Sequence, residues 1–382
     1  MAAKMYCRHH VIFEGKKSMS RILGTTPRQD GFRMPGEFEP HEKCWMLWPE
    51  RPDNWRLNAV PAQNVFSLVA QAISRFEPVA MGVSKHQIET AQNSLPSEIE
   101  IVHIESDDSW MRDTGPTFVK NDSNEVRGVD WDFNAWGGLN GGIYFPWDKD
   151  ICVAKEVLKH GKIDRYKACI ILEGGAIHTD GEGTLITTEE CLLNPNRNPD
   201  LSKTQIENHL KEYLNVEKII WLGKGVFMDE TDGHVDNLCC FTRPGEVLLH
   251  WTDDKTDPQY EISCDAFDRL SGSVDAKGRK IKIHKIHQPG PLYMTEAESL
   301  GIEKKPNVAP RNDGNRLAAS YVNFYIANNG IVMPLFDDPH DKAAMEKIKS
   351  LFPERIVVGI YAREILLGGG NIHCITQQQP GV

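Results

Sequence analysis

The stretch Gly368-Gly369-Gly370-Asn371-Ile372-His373-Cys374-Ile375-Thr376 decides how this chain is read. Three glycines permit backbone conformations and close approaches that a side chain would block, and they run straight into a cysteine that opens a strand. No Lys-Ser/Thr pair follows them, which excludes a phosphate loop. The same plan recurs upstream: a glycine or small-residue entry, a strand, a polar turn and a second strand. It occupies 114–133, 174–193, 235–254 and 321–337, and its first half returns at 369–376. Helices are predicted between the copies at 150–160, 202–214, 258–270 and 339–351, with Pro258 opening one and Asp338-Pro339 opening another. The copies begin 60, 61, 86 and 48 residues apart. A loosely repeated α/β unit of this size predicts a radial or stacked repeat whose site lies where equivalent ends meet.

Ahead of the copies, Cys44-Trp45-Met46-Leu47-Trp48 reads as a buried strand. Pro61 opens a helix carrying Val65, Leu68, Val69, Ile73 and Phe76 at helical spacing. Further strands are expected at 78–83 and 99–104.

The residue that enters each copy carries the chemistry. Asp113 precedes the first, Glu173 the second and His234 the third; Asp236, two residues on, shares the His234 face if the segment is a strand. Cys374 belongs to the last. Gathered at one end of a repeat, these make a nucleophile, a proton carrier and three carboxylates. Two of those carboxylates are surplus for ester or peptide hydrolysis, where anions would oppose an oxyanion. They suit a cationic electrophile: a guanidinium pairs with carboxylates through its fork of N–H donors, and thiolate addition to it yields a neutral adduct. Each residue also has a plain structural reading: an Arg112–Asp113 surface pair, a turn cap at Glu173, a strand histidine at 234. Cys239 and Cys240, in an apolar strand, read as buried packing.

The composition narrows the partners. With 54 acidic against 43 basic residues, the net charge of −11 over 382 residues disfavours nucleic acid and anionic membranes. No run reaches 18 apolar residues. The nine cysteines contain no C-x-x-C pair and match neither a disulfide framework nor a zinc site, so the expected compartment is the cytoplasm and no metal is expected. Residues 1–30, rich in Lys and Arg, are expected as a leader outside the core, and 31–379 as one catalytic domain.

Four motifs then carry a resemblance. Ser109-Trp110-Met111-Arg112-Asp113-Thr114-Gly115-Pro116, Leu172-Glu173-Gly174-Gly175, Asp229-Glu230-Thr231-Asp232-Gly233-His234-Val235-Asp236-Asn237 and Gly369-Gly370-Asn371-Ile372-His373-Cys374 are similar to the agmatine deiminase (agmatine iminohydrolase) family. The shorter runs Asn134-Ala135-Trp136-Gly137-Gly138 and Trp251-Thr252-Asp253-Asp254 agree. The resemblance covers about 31–379 and implies the guanidine-modifying (pentein) superfamily. Its fold is a five-bladed α/β propeller of ββαβ units with pseudo-fivefold symmetry. It implies hydrolysis of agmatine to N-carbamoylputrescine and ammonia in putrescine biosynthesis, no metal or organic cofactor, and a homo-oligomer, expected as a dimer. Combined with the residues, it implies that Asp113 and Asp236 clamp the guanidinium, Cys374 attacks it, and His234 with Glu173 moves protons. Trp110 is a candidate wall for the substrate. Glu230, or its neighbours Asp229 and Asp232, is the candidate receiver of the distal ammonium, and the run offers no cation for an arginine carboxylate. Gly137, Gly138, Gly141 and Gly142 suggest a mobile cover. Competing expectations are an arginine, peptidyl-arginine or methylarginine substrate, an amidinotransferase, and a polyamine-binding scaffold without catalysis.

Overall fold

The computed structural model describes residues 20–381. It is a mixed α/β structure in which one supersecondary plan is built five times. In each, an antiparallel strand pair is followed by a helix and then by a strand parallel to the second. The first unit pairs Thr117–Lys120 with Val126–Asp132, adds the helix Asp150–Gly161 and returns on Arg165–Ile171. The second uses His178–Thr179, Thr184–Thr188, Lys203–Leu214 and Lys218–Leu222. The third uses Cys239–Arg243, Glu246–Trp251, Gln259–Ser271 and Lys282–His287. The fourth uses Tyr325–Ala327, Gly330–Leu335, Asp341–Leu351 and Ile356–Tyr361. The fifth is assembled from both ends of the chain: Thr376–Pro380 lies antiparallel to His41–Leu47, which is followed by the helix Val60–Ser74 and the parallel strands Val79–Val83 and Glu100–His103.

The helices form for local reasons and dock for tertiary ones. Ser202 and Gln205 cap Lys203–Leu214 reciprocally, and Asn215 ends it in the left-handed conformation. Its Ile206, Leu210 and Leu214 then fall four apart on one buried face. Val153, Ala154, Val157 and Leu158 make the equivalent stripe on Asp150–Gly161. In Val60–Ser74 the stripe is Val65, Phe66, Val69 and Ile73, whereas Leu68, expected on it, is 50% exposed. The second strand of the second unit, Thr184–Thr188, is buried along its whole length, covered by a helix on one side and by a neighbouring unit on the other.

Two expectations change. The predicted leader boundary at residue 30 falls inside ordered structure: Ile22–Leu23 pairs in parallel with Arg165 and Tyr166, and Thr26 caps the turn Pro27–Asp30. Residues 1–19 of that leader lie outside the described residues. The segment around Asp236 is not a strand either. Val235–Leu238 is one helical turn, and the strand starts at Cys239. Short turns at Met111–Thr114 and Gly174–Ala176 occupy the same place in the first two units. Among the described residues, no helix is long and apolar enough to cross a membrane.

Candidate active site

These entry turns bring the five predicted residues together. Gly175 shows how closely: a methyl group placed on it would lie 2.6 Å from His234 Nδ1, 2.9 Å from Asp113 Oδ1 and 3.0 Å from Asp236 Oδ2. Cys374 Sγ lies 3.5 Å from the same Asp236 oxygen. Gly370, in the glycine run, fits under Trp110, where an added methyl would come within 2.5 Å of the ring and 3.1 Å of Sγ. A narrow cavity over Cys374 is walled by Trp110, Asp113, Trp136, Ile143 and Thr231.

Each side chain is held from behind. Asp113 accepts the Gly175 amide at 2.9 Å on one oxygen and the Trp136 indole at 2.9 Å on the other. Trp110 is fixed by its indole N–H to Asp108, 2.9 Å away, a carboxylate that also takes Trp55, Asn54 and the Ser109 amide. Glu173 receives Arg197 Nε at 2.7 Å on Oε1, while Oε2 lies 3.7 Å from His234 Nε2 and has no hydrogen-bond partner. Neither ring nitrogen of His234 has one, although the residue is fully buried. Buried polar atoms are almost always paired, so Glu173 Oε2 is a place to receive a ligand's N–H or a water, and the His234 nitrogens are donors left for water or a ligand's acceptor.

The charges are set by burial and by one another. Burial pushes the Asp113 carboxyl up to about 6, with His234 pulling it down and Asp236 and Glu173 adding to the rise. Burial also acts on Glu173, yet the Arg197 guanidinium and His234 hold it down at about 2. Against burial, Asp113, Cys191 and Glu173 keep His234 protonated well above the ordinary imidazole value. Burial and the Asp236 and Asp113 carboxylates drive the Cys374 thiol well above its usual value, so the empty site holds a thiol. A cation entering between the two carboxylates reverses that balance.

Several further residues pack into the site that the sequence reading did not place there. Asn323 lies inside the fourth copy, two residues ahead of its first strand Tyr325–Ala327, and no side chain of that copy was assigned to the site. It donates from Nδ2 to Cys374 Sγ at 3.1 Å and accepts the His373 amide at 2.9 Å. His373, inside the quoted stretch, bridges Asp236 Oδ2 at 2.8 Å and Glu37 Oε1 at 2.9 Å. Burial and Arg112 work against its proton, but Glu37 and Asp236 raise its affinity above the ordinary value, which in turn keeps Asp236 ionised. Arg112 does not form the expected surface pair with Asp113; it is buried and pairs with Glu37 at 3.2 Å.

The acidic run is used differently from the expectation. Asp229 accepts Thr231 and Asn237, and Thr231 Oγ1 takes the His234 amide at 3.2 Å, so Asp229 braces the loop that carries the histidine. Asp232 is paired with Arg197 at 2.9 Å. Only Glu230 reaches the outer cavity of about 260 Å³, which meets the inner one at Ile143 and Gly369. The run itself offers no cation, as expected, but a distant segment supplies one: Arg311 pairs with Glu230 at 2.6 Å while bonding Asn54 and the Gly368 carbonyl. Gly141 lines this cavity, and Leu139 at the loop tip is 81% exposed. Cys239 and Cys240 are buried in their strand, as read from the sequence.

Residues 33–380 match the family model described as Porphyromonas-type peptidyl-arginine deiminase. A Listeria monocytogenes protein named "Putative agmatine deiminase 1" is 60% identical over 361 residues, covering 94% of this chain and 99% of that protein. The solved structure described as agmatine deiminase of Enterococcus faecalis catalyzing its reaction superposes with a TM-score of 0.92 at 50% identity, over 95% of this chain and 99% of that one. A C. jejuni agmatine deiminase with substrate bound gives a TM-score of 0.79 at 26% identity, over 92% and 97% of the two chains.

Proposed function

Because the chain belongs to the Porphyromonas-type peptidyl-arginine deiminase family, we propose that it hydrolyses agmatine to N-carbamoylputrescine and ammonia, as the names of its nearer relatives suggest. The observation that carries the reading is the pair of buried carboxylates, Asp113 and Asp236, flanking a cysteine whose thiol they and burial hold well above its usual value. Such a site is built for a substrate that brings its own positive charge.

The roles follow from position. Asp113 and Asp236 receive the guanidinium N–H groups, and Trp110 covers its face. The entering cation offsets both carboxylates, which lowers the proton affinity of the thiol so that its proton is lost to water; the thiolate, steadied by Asn323 Nδ2, adds to the guanidinium carbon. His234 gives its proton to the departing nitrogen, the C–N bond breaks and ammonia leaves. Water, deprotonated by His234, attacks the amidino-cysteine; the C–S bond breaks and the thiolate returns. Glu173 orients the imidazole and stabilises its charged form before the first step and after the second. No step requires a metal or organic cofactor.

The five ββαβ units are arranged as a five-bladed propeller in this reading, with the site at the pseudo-fivefold centre; Asp113, Glu173, His234, Asn323 and Cys374, one from the entry of each unit, support it. Residues 31–379 act as one catalytic domain, in a homo-oligomer taken to be a dimer. A cytoplasmic location accords with the eight described cysteines, all of them free. Glu230 selects the distal ammonium through its outer oxygen. Arg311 favours a second substrate, free arginine, whose carboxylate would have to displace Glu230 from the guanidinium.

Ammonia release from purified protein with agmatine, and separately with arginine, tests the assignment. Release from agmatine, absent in Cys374→Ala, is expected. Release from arginine alone would overturn the substrate, and turnover by Cys374→Ala would overturn the mechanism.

A further inference from the structure

Two groups of buried side chains, among the described residues, place three metal-ligating atoms within 4.8 Å of one another. The first, Glu37, His178 and His373, is closed to a metal. His178 Nδ1 accepts the Phe241 amide, so its Nε2 carries the ring proton and faces Glu37, while both nitrogens of His373 are engaged with Glu37 and Asp236. The second is Glu173, Cys191 and His234. Here Glu173 Oε2 and His234 Nε2 stand 3.7 Å apart, fully buried, and neither makes a hydrogen bond. Cys191 completes the set from the short turn Glu189–Leu192, its amide held by Thr188 Oγ1 at 3.3 Å. The proposed catalytic cycle gives Cys191 nothing to do.

We propose that Glu173, Cys191 and His234 form an inhibitory binding site for a divalent transition-metal ion, with zinc the best fit. Carboxylate, thiolate and imidazole are the three donors that zinc accepts, at about 2.0–2.3 Å each. Around a tetrahedral ion at those bond lengths, ligand atoms stand roughly 3.3–3.7 Å from one another, and the 3.7 Å between Oε2 and Nε2 already meets this. The supporting shell is present as well. Arg197 fixes the other Glu173 oxygen at 2.7 Å, and Asp113 Oδ2 stands 3.8 Å from His234 Nδ1, the carboxylate–histidine arrangement that orients metal-bound imidazoles. Binding releases the protons of the thiol and the imidazole to solvent and leaves a fourth position for water. With its Nε2 lone pair on the metal, His234 keeps a single proton on Nδ1, and losing it would leave a metal-bound imidazolate, so the ring is a far weaker acid toward ammonia than the free imidazolium. That consequence rests on the catalytic reading above; the binding itself does not.

The test uses the metal-stripped full chain titrated with cobalt(II), whose thiolate complexes absorb strongly in the near ultraviolet. Ammonia release and zinc competition are followed in parallel. One equivalent of cobalt should produce the thiolate band in wild type and in Cys374→Ala, and zinc should remove it. Cys191→Ala should abolish the band, and Glu173→Gln should weaken binding about 10–100-fold. Turnover should fall in step with occupancy and return on chelation. A band that is missing in wild type, lost in Cys374→Ala or kept in Cys191→Ala overturns the site; if Cys191→Ala does not fold, the Cys374→Ala and Glu173→Gln titrations decide. Full occupancy with undiminished turnover overturns the inhibitory role. A band in a protein that releases no ammonia from any guanidine leaves the metal site standing and refutes the proposed function.

Discussion

Replacing Asp113 by Asn should make the protein inactive yet, at neutral pH, more stable. Burial and two neighbouring anions hold this carboxyl at about 6 against the ordinary 3.8. Between those values the folded chain binds a proton that the unfolded chain has lost, so stability falls as pH rises through that window, and the full penalty stands above it. The difference is worth about 3 kcal/mol at pH 7.5 and about 1 kcal/mol at pH 4.5. Asparagine avoids the penalty at both values, but its amide cannot accept from Gly175 and Trp136 together, which costs about 2 kcal/mol at any pH. Asp113→Asn should therefore be about 1 kcal/mol more stable than wild type at pH 7.5 and about 1 kcal/mol less stable at pH 4.5. Urea unfolding followed by tryptophan fluorescence measures this; guanidinium salts are unsuitable because the denaturant would compete for the site. In wild type kcat/KM should fall below about pH 6, as Asp113 takes up its proton. A stability difference that stays constant between the two pH values would refute the claim that the free site carries a strained, ionised Asp113.

Asn323→Ala removes the donor on Cys374 Sγ. A hydrogen bond to a charged sulfur is worth about 1.5–3 kcal/mol, so kcat should drop roughly 10–150-fold with KM changing far less. Iodoacetamide labelling of Cys374 in the presence of a slow guanidine ligand should slow with it, and an unaltered labelling rate would remove Asn323 from the thiolate's support. Gly175→Ala pushes a methyl into His234, Asp113 and Asp236 at 3.0 Å or less. Displacement of the site by such a contact should lower kcat/KM about 100-fold, with about 1–3 kcal/mol lost in stability from overpacking. Ammonia release and thermal unfolding read the two effects, and wild-type turnover would mean that these groups do not need their present spacing.

What the sequence made legible was whatever repeats or lies close in the chain. Strand pairs and helices fell where turn residues, prolines and apolar spacing placed them, and the entry residues of four copies identified Asp113, Glu173, His234, Asp236 and Cys374. The fourth copy breaks this pattern: the residue before it is Ser320, whereas the side chain that reaches Cys374 is Asn323, three positions on. Arg197, Cys191 and Arg311 are different in kind. Each reaches the site from a segment with no regular relation to the repeat, and only the folded packing puts Arg197 on Glu173 or Arg311 on Glu230. Charge pairing across such separations leaves no period to read. The acidic run shows the converse hazard: Asp229 and Asp232 look like substrate ligands in one dimension but serve as braces in three.

The strand that follows Cys374 is also the strand that joins the end of the chain to its beginning, through Thr376–Pro380 on His41–Leu47. During synthesis the first strands of that sheet emerge some three hundred residues before their partner, and the nucleophile arrives with the partner. Closing the sheet and arming the site are thus one event. A polypeptide that ends between residues 236 and 374 holds the carboxylates and the histidine but lacks the proposed nucleophile, so in this reading reactivity is withheld until the last sheet is shut.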